Sequence, residues 1–362
     1  MFGRRPLSGA AFSAARYKIQ PIFFQELNKL LLRHIYSLKP RLWKGFRIVA
    51  IDGTSILLPA SPQIKKVFGV FDKTSRGTNT CLAQSVMLYD VLSDFVLGIK
   101  LDKMCNGEKT VLRSLFSTIE IQNALYLLDR GFGNLSTCKM IVNSGSKFCI
   151  RFSINVSGFA KKSMEDERQD FIATWIPSET ERANCRQNGF DEDPIKVRVT
   201  KLLLASGEIE LLISNVLDFD QFSTQEIGKL YFMRWGIEEG FKKLKPKMKL
   251  EHFGCKKPEG IYQEFYAHIF MMNLLAIIGQ DAQHGIDKQT QNRKIKYTYN
   301  WQNAYRHLRA SIVQLFTGQC IDELLKKLLL SVERSIVAIK PERSFPREKQ
   351  KSDKARMHPC YK

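Results

Sequence analysis

Residues 81–103, CLAQSVMLYDVLSDFVLGIKLDK, contain two apolar segments separated by the turn-forming pair Ser93 and Asp94. Short apolar segments of this kind, joined by a polar turn, predict two neighbouring β-strands. A third apolar segment, FRIVAIDG at 46–53, precedes them and ends in a turn signal. Three strands that follow one another without a helix favour antiparallel pairing. The sheet is therefore predicted to begin as an antiparallel meander.

Helical and strand patterns alternate after this meander. NGEKTVLRSLFSTIEIQ (106–122), which starts with a candidate Asn N-cap, and LSTCKMIVNSGS (135–146) predict helices. ALYLLDRGFGN (124–134) and KFCIRFS (147–153) predict strands. Strands joined by helices favour parallel pairing. The whole order predicts an α/β fold in which a mixed sheet is flanked by helices, the layout of a ribonuclease-H-like core.

Residues 154–222 break the alternation and predict a β-rich insertion. IKVRVTKLLL (195–204) and GEIELLISNV (207–216) resemble paired strands, whereas the polar, turn-rich WIPSETERANCRQNGFDEDP (175–194) predicts a loop. From residue 223 the pattern is helical. One helix is predicted over TQEIGKLYFMRWGIEEGFKKLK (224–245), ending at Pro246, and a second from Pro258 through FMMNLLAIIG (270–279).

Six segments follow from these patterns. We predict a short helical N-terminal segment at 1–45, the first part of the ribonuclease-H-like core at 46–153, the insertion at 154–222, core helices at 223–285, a C-terminal helical region at 286–338 and a basic tail at 339–362. The N-terminal segment is equally compatible with a DNA-contacting arm and a packing helix. The tail, with three prolines and no apolar periodicity, predicts an extended arm.

The composition points to a polyanionic partner. The chain has 362 residues, and 56 Lys+Arg against 36 Asp+Glu give a formal net charge of +20. Nucleic acid is the commonest partner of so basic a protein, followed by an anionic membrane surface. The membrane alternative is weaker, because no uninterrupted apolar run approaches the roughly 20 residues of a spanning helix.

Cysteine usage and the N-terminus predict a cytoplasmic protein. Eight cysteines occur without a CxxC pair, which argues against a zinc site and a disulfide framework. The first residues, MFGRRPLSGAAF, lack the apolar core of a signal peptide.

Two acidic residues occupy equivalent places in the pattern. Asp52 and Asp129 each follow an apolar strand and are followed at once by Gly or Arg-Gly. Ligands of α/β sheets bind beyond the carboxyl ends of the strands, where a carboxylate is partly solvated and can hold a cation. Either acid alone could simply begin a turn, but two such sites in one core favour a functional pair.

The segment YFMRWGIEEGFKKLK (231–245) adds a third acid. At about 100° per residue, Tyr231, Arg234, Glu238 and Lys245 fall within about 60° of one another, and Glu239 lies off this stripe. An amphipathic helix with an Arg234–Glu238 pair explains two of these residues but not all four. Glu238 is therefore the better candidate for a ligand.

Together these motifs resemble the insertion-sequence-four family of DDE transposases. The spacing Y-(2)-R-(3)-E-(6)-K is the signature of that family, its first Asp precedes a DGT turn as in IDGTSILLP, and its second lies in a D-R-G-F turn. The likeness covers about residues 45–280. It implies a ribonuclease-H-like domain with a β-strand insertion between the second Asp and the Glu.

The resemblance also implies a chemistry and a metal. Phosphodiester cleavage and transfer of the freed 3′-hydroxyl need a deprotonated nucleophile and a neutralised leaving oxygen, which two divalent ions roughly 4 Å apart can provide. The family assigns Asp52, Asp129 and Glu238 as catalytic and metal-binding residues for two Mg²⁺ ions, with Mn²⁺ as a substitute. Asp52 would be shared between the ions.

DNA contacts are assigned by the same likeness. Arg234 and Lys245 suit phosphates beside the scissile bond, Tyr231 a further phosphate, and Lys242 and Lys243 begin a lysine-rich stretch that favours a DNA-backbone surface over a merely solvated face. The family implies double-stranded DNA as partner, both as terminal inverted repeats and as target, and a homodimer that bridges two ends.

Some roles stay open at this stage. A hairpin route would require an aromatic residue to stack a flipped base, and Trp175 is either that residue or part of the core, which we favour. Two other readings of the whole chain also remain: a ribonuclease-H-like nuclease without strand transfer, and a catalytically idle DNA-binding relic of a mobile element.

Overall fold

The three apolar segments that begin the sheet are strands, as predicted. In the computed structural model, which describes residues 8–37, 41–70, 80–155, 157–204, 206–318 and 320–340, the strands are β1 Arg47–Leu58, β2 Cys81–Asp90, β3 Phe95–Lys103, β4 Ala124–Leu128, β5 Lys147–Phe152, β6 Asp170–Trp175, β7 Ile195–Leu203, β8 Ile209–Ser214, β9 Tyr297–Tyr299 and β10 Ile336–Ala338. The predicted basic tail lies outside the described residues from 341 onward.

The helices confirm the predicted alternation after β3, but one of them lies between β1 and β2, where no helix was predicted. They are α1 Gly9–Arg16, α2 Ile22–Ser37, α3 Pro62–Phe68, α4 Gly107–Phe116, α5 Leu135–Asn143, α6 Gly158–Glu165, α7 Glu179–Gln187, α8 Thr224–Phe232, α9 Gly236–Lys242, α10 Pro258–Thr290, α11 Trp301–Thr317 and α12 Ile321–Glu333.

The chain divides into two compact units. The sheet unit comprises His34–Phe241, and the helical unit comprises Met1–Arg33 together with Lys242–Lys362. The six predicted segments stay predictions, since this division follows contacts between residues and cuts across them.

The sheet unit is built on one eight-stranded mixed sheet. Its strand order is β3-β2-β1-β4-β5-β8-β7-β6, in which β1, β4 and β5 are parallel neighbours and the other pairs are antiparallel. β4 is buried along its whole length, as expected of a central strand that is covered on both faces. The mixed α/β fold with flanking helices is therefore confirmed.

The β-rich segment at 154–222 continues this sheet. β8 pairs with β5, β7 pairs with β8, and β6 is the edge strand of the sheet. The loop predicted for 175–194 is wrong in part, because it contains α7. Ser178 accepts from the backbone N–H of Glu181, and the Glu181 side chain accepts from the N–H of Ser178 in return. This capping box starts a helix in a sequence that is otherwise polar.

The helix predicted for 224–245 is also not continuous. A 3₁₀ turn at Met233–Trp235 separates α8 from α9, and a π turn at Lys243–Lys247 includes Pro246. Pro246 therefore does not end the helix. Proline lacks an N–H and crowds the preceding turn, and the wider turn accommodates it: the N–H of Met248 donates to the carbonyl of Lys243 at 2.9 Å.

The helical unit has its own core around α10. Asn273 on α10 donates to Asn28 on α2 at 2.8 Å in a buried contact, and Arg16 on α1 pairs with Glu264 at 2.8 Å. α10 runs eleven residues beyond the predicted end at Gly279, where a Cβ would collide with the ring of Tyr299. By length and composition α10 could cross a membrane, but most of its apolar stretch is buried inside the fold, which is typical of a core helix.

Candidate active site

Strand register brings Asp52 and Asp129 side by side. β1 and β4 are parallel with Ile51 opposite Leu128, so the next residue on each strand is an aspartate. Asp129 follows the last residue of β4, as predicted. The strand-end position predicted for Asp52 is wrong, because β1 continues to Leu58 through antiparallel pairing with β2. Asp52 instead lies where the neighbouring strand β4 ends, which opens space beside it.

Asp52 is a half-buried carboxylate among other acids. Burial raises its pKa to about 6. The backbone N–H of Gly53, which donates to Oδ1 at 2.8 Å, and the charge of Arg234 lower the pKa, whereas Glu108 and Asp129 raise it. The ionised form is therefore under-compensated by protein charges. A cation bound beside it would supply the missing compensation.

Two further acids near this pair were not predicted from the sequence. Burial and the charge of Asp129 raise the pKa of Glu108, while a hydrogen bond from Gln84 lowers it. Burial also raises the pKa of Glu210 on β8, although Arg151, 3.1 Å away, and Arg234 lower it. A sequence signal existed for Glu210, a lone acid within an apolar strand. For Glu108 there was only its place in the first turn of α4, where acids are common.

Arg234 lies deep in the sheet unit. Its guanidinium carbon is 4.5 Å from the ring centroid of Trp235 and 5.7 Å from that of Tyr231. The residue is 4% exposed, and within the described part of the chain its Nε has no hydrogen-bond partner. A buried cation with an unused donor is suited to an anionic ligand or to the nearby carboxylates.

Tyr231 is buried rather than displayed. It packs in a core cluster with Ile48, Leu127 and Leu230, and its hydroxyl has no hydrogen-bond partner among the described residues. Its predicted phosphate contact stays a prediction, but this structure gives the hydroxyl no exposure for it.

Glu238 lies in the first turn of α9 and faces Arg234, with 4.0 Å between its Oε1 and the arginine Nη2. Its side chain is 30% exposed. In the described ranges, no three His, Cys, Asp or Glu side chains are close enough together to hold a metal ion. The structure therefore places Asp52 beside Asp129, but Glu238 does not form one cluster of ligands with them.

The donor set nevertheless fits a hard divalent cation. Carboxylate oxygens are the ligands that Mg²⁺ takes, and it keeps several waters, so it needs only one or two carboxylates from the protein. Adjacent Asp52 and Asp129 meet that requirement, and burial together with neighbouring acids raises the pKa of Asp52 despite the charge of Arg234.

The predicted DNA-binding lysines lie in the helical unit. Lys242 is exposed and Lys243 is half-buried. Lys245, in the π turn, forms an ion pair with Glu251 at 3.2 Å.

A cavity of about 680 Å³ in the same unit is more strongly basic. Lys247, Lys249, Arg306 and Arg309 line it together with His252 and His268, and among the residues that the structure describes no acid is part of the lining. The sequence had not singled out the two arginines, which lie on one face of α11 at i and i+3. Such a concave, acid-free surface suits phosphate groups.

Trp175 belongs to the core, as we favoured. It is fully buried, stacks on Phe159 with ring centroids 4.8 Å apart and meets Phe152 edge to face. It is not presented to a flipped base in this structure.

The chain is similar to known transposases. Residues 43–274 match the family described as "Transposase DDE domain". The Transposase InsG for insertion sequence element IS4 from Escherichia coli (strain K12) is 22% identical over 265 residues, which are 69% of this chain and 58% of that protein, so the chain spans less than two thirds of this relative. A cryo-EM structure of the piggyBac transposase synaptic complex with hairpin DNA aligns with a TM-score of 0.45 and 10% identity over 94% of this chain and 69% of that one. Since the family match covers more than half of the sequence, the chain belongs to the Transposase DDE domain family.

Proposed function

We propose that this protein is a cut-and-paste transposase that cleaves DNA at the ends of a mobile element and joins the freed ends to target DNA. The observation that carries the proposal is the register of β1 and β4, which sets Asp52 beside Asp129 in a chain of the transposase DDE family. Weak similarity to an IS4-element transposase supports assignment to the insertion-sequence-four group of that family. The same assignment is supported by the spacing of Tyr231, Arg234, Glu238 and Lys245.

Asp52, Asp129 and Glu238 would hold two Mg²⁺ ions, for which Mn²⁺ would substitute. When bound, such ions supply charge for the attacking and leaving oxygens of the phosphodiester. Asp52 and Asp129 are held by the rigid centre of the sheet, whereas Glu238 lies on α9 and would complete the set when DNA is bound. In enzymes without bound substrate, the distances between catalytic groups are often long and shorten only when the substrate binds.

Arg234 has two functions in this proposal. Its charge already lowers the pKa of Asp52 and its guanidinium faces Glu238, so it would orient both carboxylates. Its unused Nε could donate to a phosphate oxygen once the substrate enters. Lys242, Lys243 and Lys245 would contact the DNA backbone, and Tyr231 would support Arg234 from the core rather than contact phosphate itself.

The partners follow from the reaction. Double-stranded DNA would be bound both as terminal inverted repeats and as target, with two copies of the chain bridging two ends. The site of action would be the bacterial cytoplasm, at the nucleoid.

The test uses the purified protein, Mg²⁺ and a DNA fragment that carries the sequences flanking its gene. Wild type should cleave at the repeats and produce end–target joints. Asp52→Asn, Asp129→Asn and Glu238→Gln should each lose at least about 100-fold in cleavage rate, because each removes a charged ligand. Wild-type rates in any one variant would remove that residue from the site.

The products also separate the two alternatives. Cleavage without joined product would indicate a ribonuclease-H-like nuclease, and repeat-specific binding without cleavage would indicate a DNA-binding relic.

A further inference from the structure

The face of the sheet that α8 covers changes from apolar to charged at one end. Its apolar part is a buried cluster in which β1, β4, β5 and β8 pack against α8, and the last strand residues of that cluster are Leu127, Cys149 and Leu212. Side chains alternate between the two faces of a strand, so residues two positions away share the face of the cluster. Three of these are charged: Asp129 after β4, Arg151 on β5 and Glu210 on β8.

Strand register sets Arg151 beside Asp129. β4 and β5 are parallel neighbours with Leu128 opposite Ile150, so Asp129 and Arg151 are the next residues along the two strands. Asp52 occupies the corresponding place on β1. The two aspartates that are proposed to hold metal are therefore followed, on the next strand, by an arginine.

Arg151 has one acidic contact and stays accessible. Its Nε lies 3.1 Å from Oε1 of Glu210, and its side chain is 30% exposed. Arg198 shows how a structural arginine of the same sheet is held. It is fully buried, its Nε and Nη2 donate to both carboxylate oxygens of Asp170 at 2.8 and 2.6 Å, and its Nη1 donates to the carbonyl of Phe222 at 2.7 Å. Arg151, by contrast, keeps a guanidinium that a ligand can reach.

A second arginine acts on the same acid. The charge of Arg234 lowers the pKa of Glu210 as well as that of Asp52, so Arg234 lies near both carboxylates. It is 4% exposed, and within the described part of the chain its Nε has no hydrogen-bond partner. Carboxylate and phosphate oxygens accept the same charge-assisted hydrogen bonds from guanidinium groups. A carboxylate between two arginines therefore occupies a place that suits a phosphate.

We propose that Arg151 binds a phosphate of the DNA backbone beside Asp129, and that Glu210 holds this arginine until DNA displaces it. The inference rests on the DNA-binding part of the function proposed above. Before DNA binds, Glu210 orients the guanidinium and competes with other anions for it. When a backbone phosphate enters, Arg151 exchanges one anionic partner for another, and its planar group suits the two oxygens that a phosphate offers.

The experiment measures the affinity of the full chain for a labelled duplex of the DNA that flanks its gene, by fluorescence anisotropy in a chelator. Arg151→Gln should raise the Kd at least about 10-fold and lower the dependence of log K on log salt by about 0.9. Glu210→Gln should lower the Kd at least about 3-fold, because a competing anion is removed. Arg168→Gln and Glu167→Gln change the same charges at exposed positions of the same unit and should bind as wild type does.

The double variant Arg151→Gln with Glu210→Gln separates phosphate binding from a purely structural ion pair. It leaves neither charge without its partner, and its melting temperature checks that it folds. If Arg151 binds phosphate, the double variant should bind DNA as weakly as Arg151→Gln does. If the pair only stabilises the fold, both single variants should melt lower and bind DNA more weakly, and the double variant should recover wild-type affinity. That pattern would overturn the proposal.

A cleavage assay in Mg²⁺ separates this inference from the proposed function. If wild type binds the duplex but neither cleaves nor joins it, the proposed transposase activity fails while the comparison of DNA affinities still decides the role of Arg151. If wild type cleaves and joins DNA while Arg151→Gln keeps the wild-type affinity and salt dependence, only the inference about Arg151 fails.

Discussion

Asp52 destabilises the metal-free protein when it is ionised. Burial raises its pKa from 3.8 to about 6, so the folded protein binds this proton more tightly than the unfolded chain does. The contribution of Asp52 to stability therefore falls as the pH rises from about 4 to about 6. Asp52→Asn removes that penalty. We expect the variant to be more stable than wild type above about pH 6, by on the order of 1–2 kcal/mol, with the difference vanishing below about pH 4.

Urea unfolding in the presence of a chelator, repeated across this pH range, measures the difference. Asp193→Asn, at an exposed position of the same unit, is the control and should follow wild type throughout. Added Mg²⁺ should stabilise wild type more than Asp52→Asn. If the variant were less stable at neutral pH, the carboxylate would be compensated by the protein itself and the argument for a missing cation would fail.

At the scale of elements, α9 is held against the sheet by a close approach. A Cβ added to Gly240 would lie 3.2 Å from both Met87 and Tyr89 on β2. Gly240→Leu should therefore push α9 outward and carry Glu238 with it. We expect a loss of about 1–3 kcal/mol in the free energy of unfolding and slower DNA cleavage, measured by denaturant unfolding and by a cleavage assay.

Gly158→Leu is the matched control for this helix. Gly158 begins α6, and an added Cβ there would meet no atom within 4 Å. Gly158→Leu should change the free energy of unfolding by no more than about a few tenths of a kcal/mol. The cleavage rate should stay at the wild-type value. Slow cleavage in Gly240→Leu at wild-type stability would still indicate a displaced Glu238; normal cleavage would show that the packing of α9 does not position it.

Some features of the fold follow from local sequence patterns, and others depend on packing between distant segments. Strand and turn patterns were enough to predict β2 to β5 and the part of β1 up to Asp52, because apolar runs and turn residues act within a few positions, but they did not predict that β1 continues to Leu58. The 3₁₀ turn before α9 and the contact of Glu108 with Gly53 were not predicted. Both depend on how elements from distant parts of the chain pack on β1 and β2, and no local pattern records that packing.

At the scale of the whole molecule, the formal net charge of +20 favours a polyanionic partner. Arg306, Arg309, Lys247 and Lys249 line the basic cavity of the helical unit, and its described lining includes no acidic residue. If this cavity follows a DNA backbone, each lost phosphate contact should lower the dependence of log K on log salt by about 0.9. It should weaken all DNA sequences alike, since phosphates carry no sequence information.

The double variant Arg306→Gln with Arg309→Gln should therefore bind DNA more weakly and reduce the salt slope by about 2. Lys326→Gln with Lys327→Gln removes the same net charge from exposed positions on α12 of the same unit. It should leave the slope unchanged, because two solvated lysines outside the cavity release no bound counterions there. Fluorescence anisotropy with a labelled duplex, titrated at several salt concentrations, compares the two. Equal slopes in both variants would mean that total charge attracts the DNA and that the cavity does not contact it.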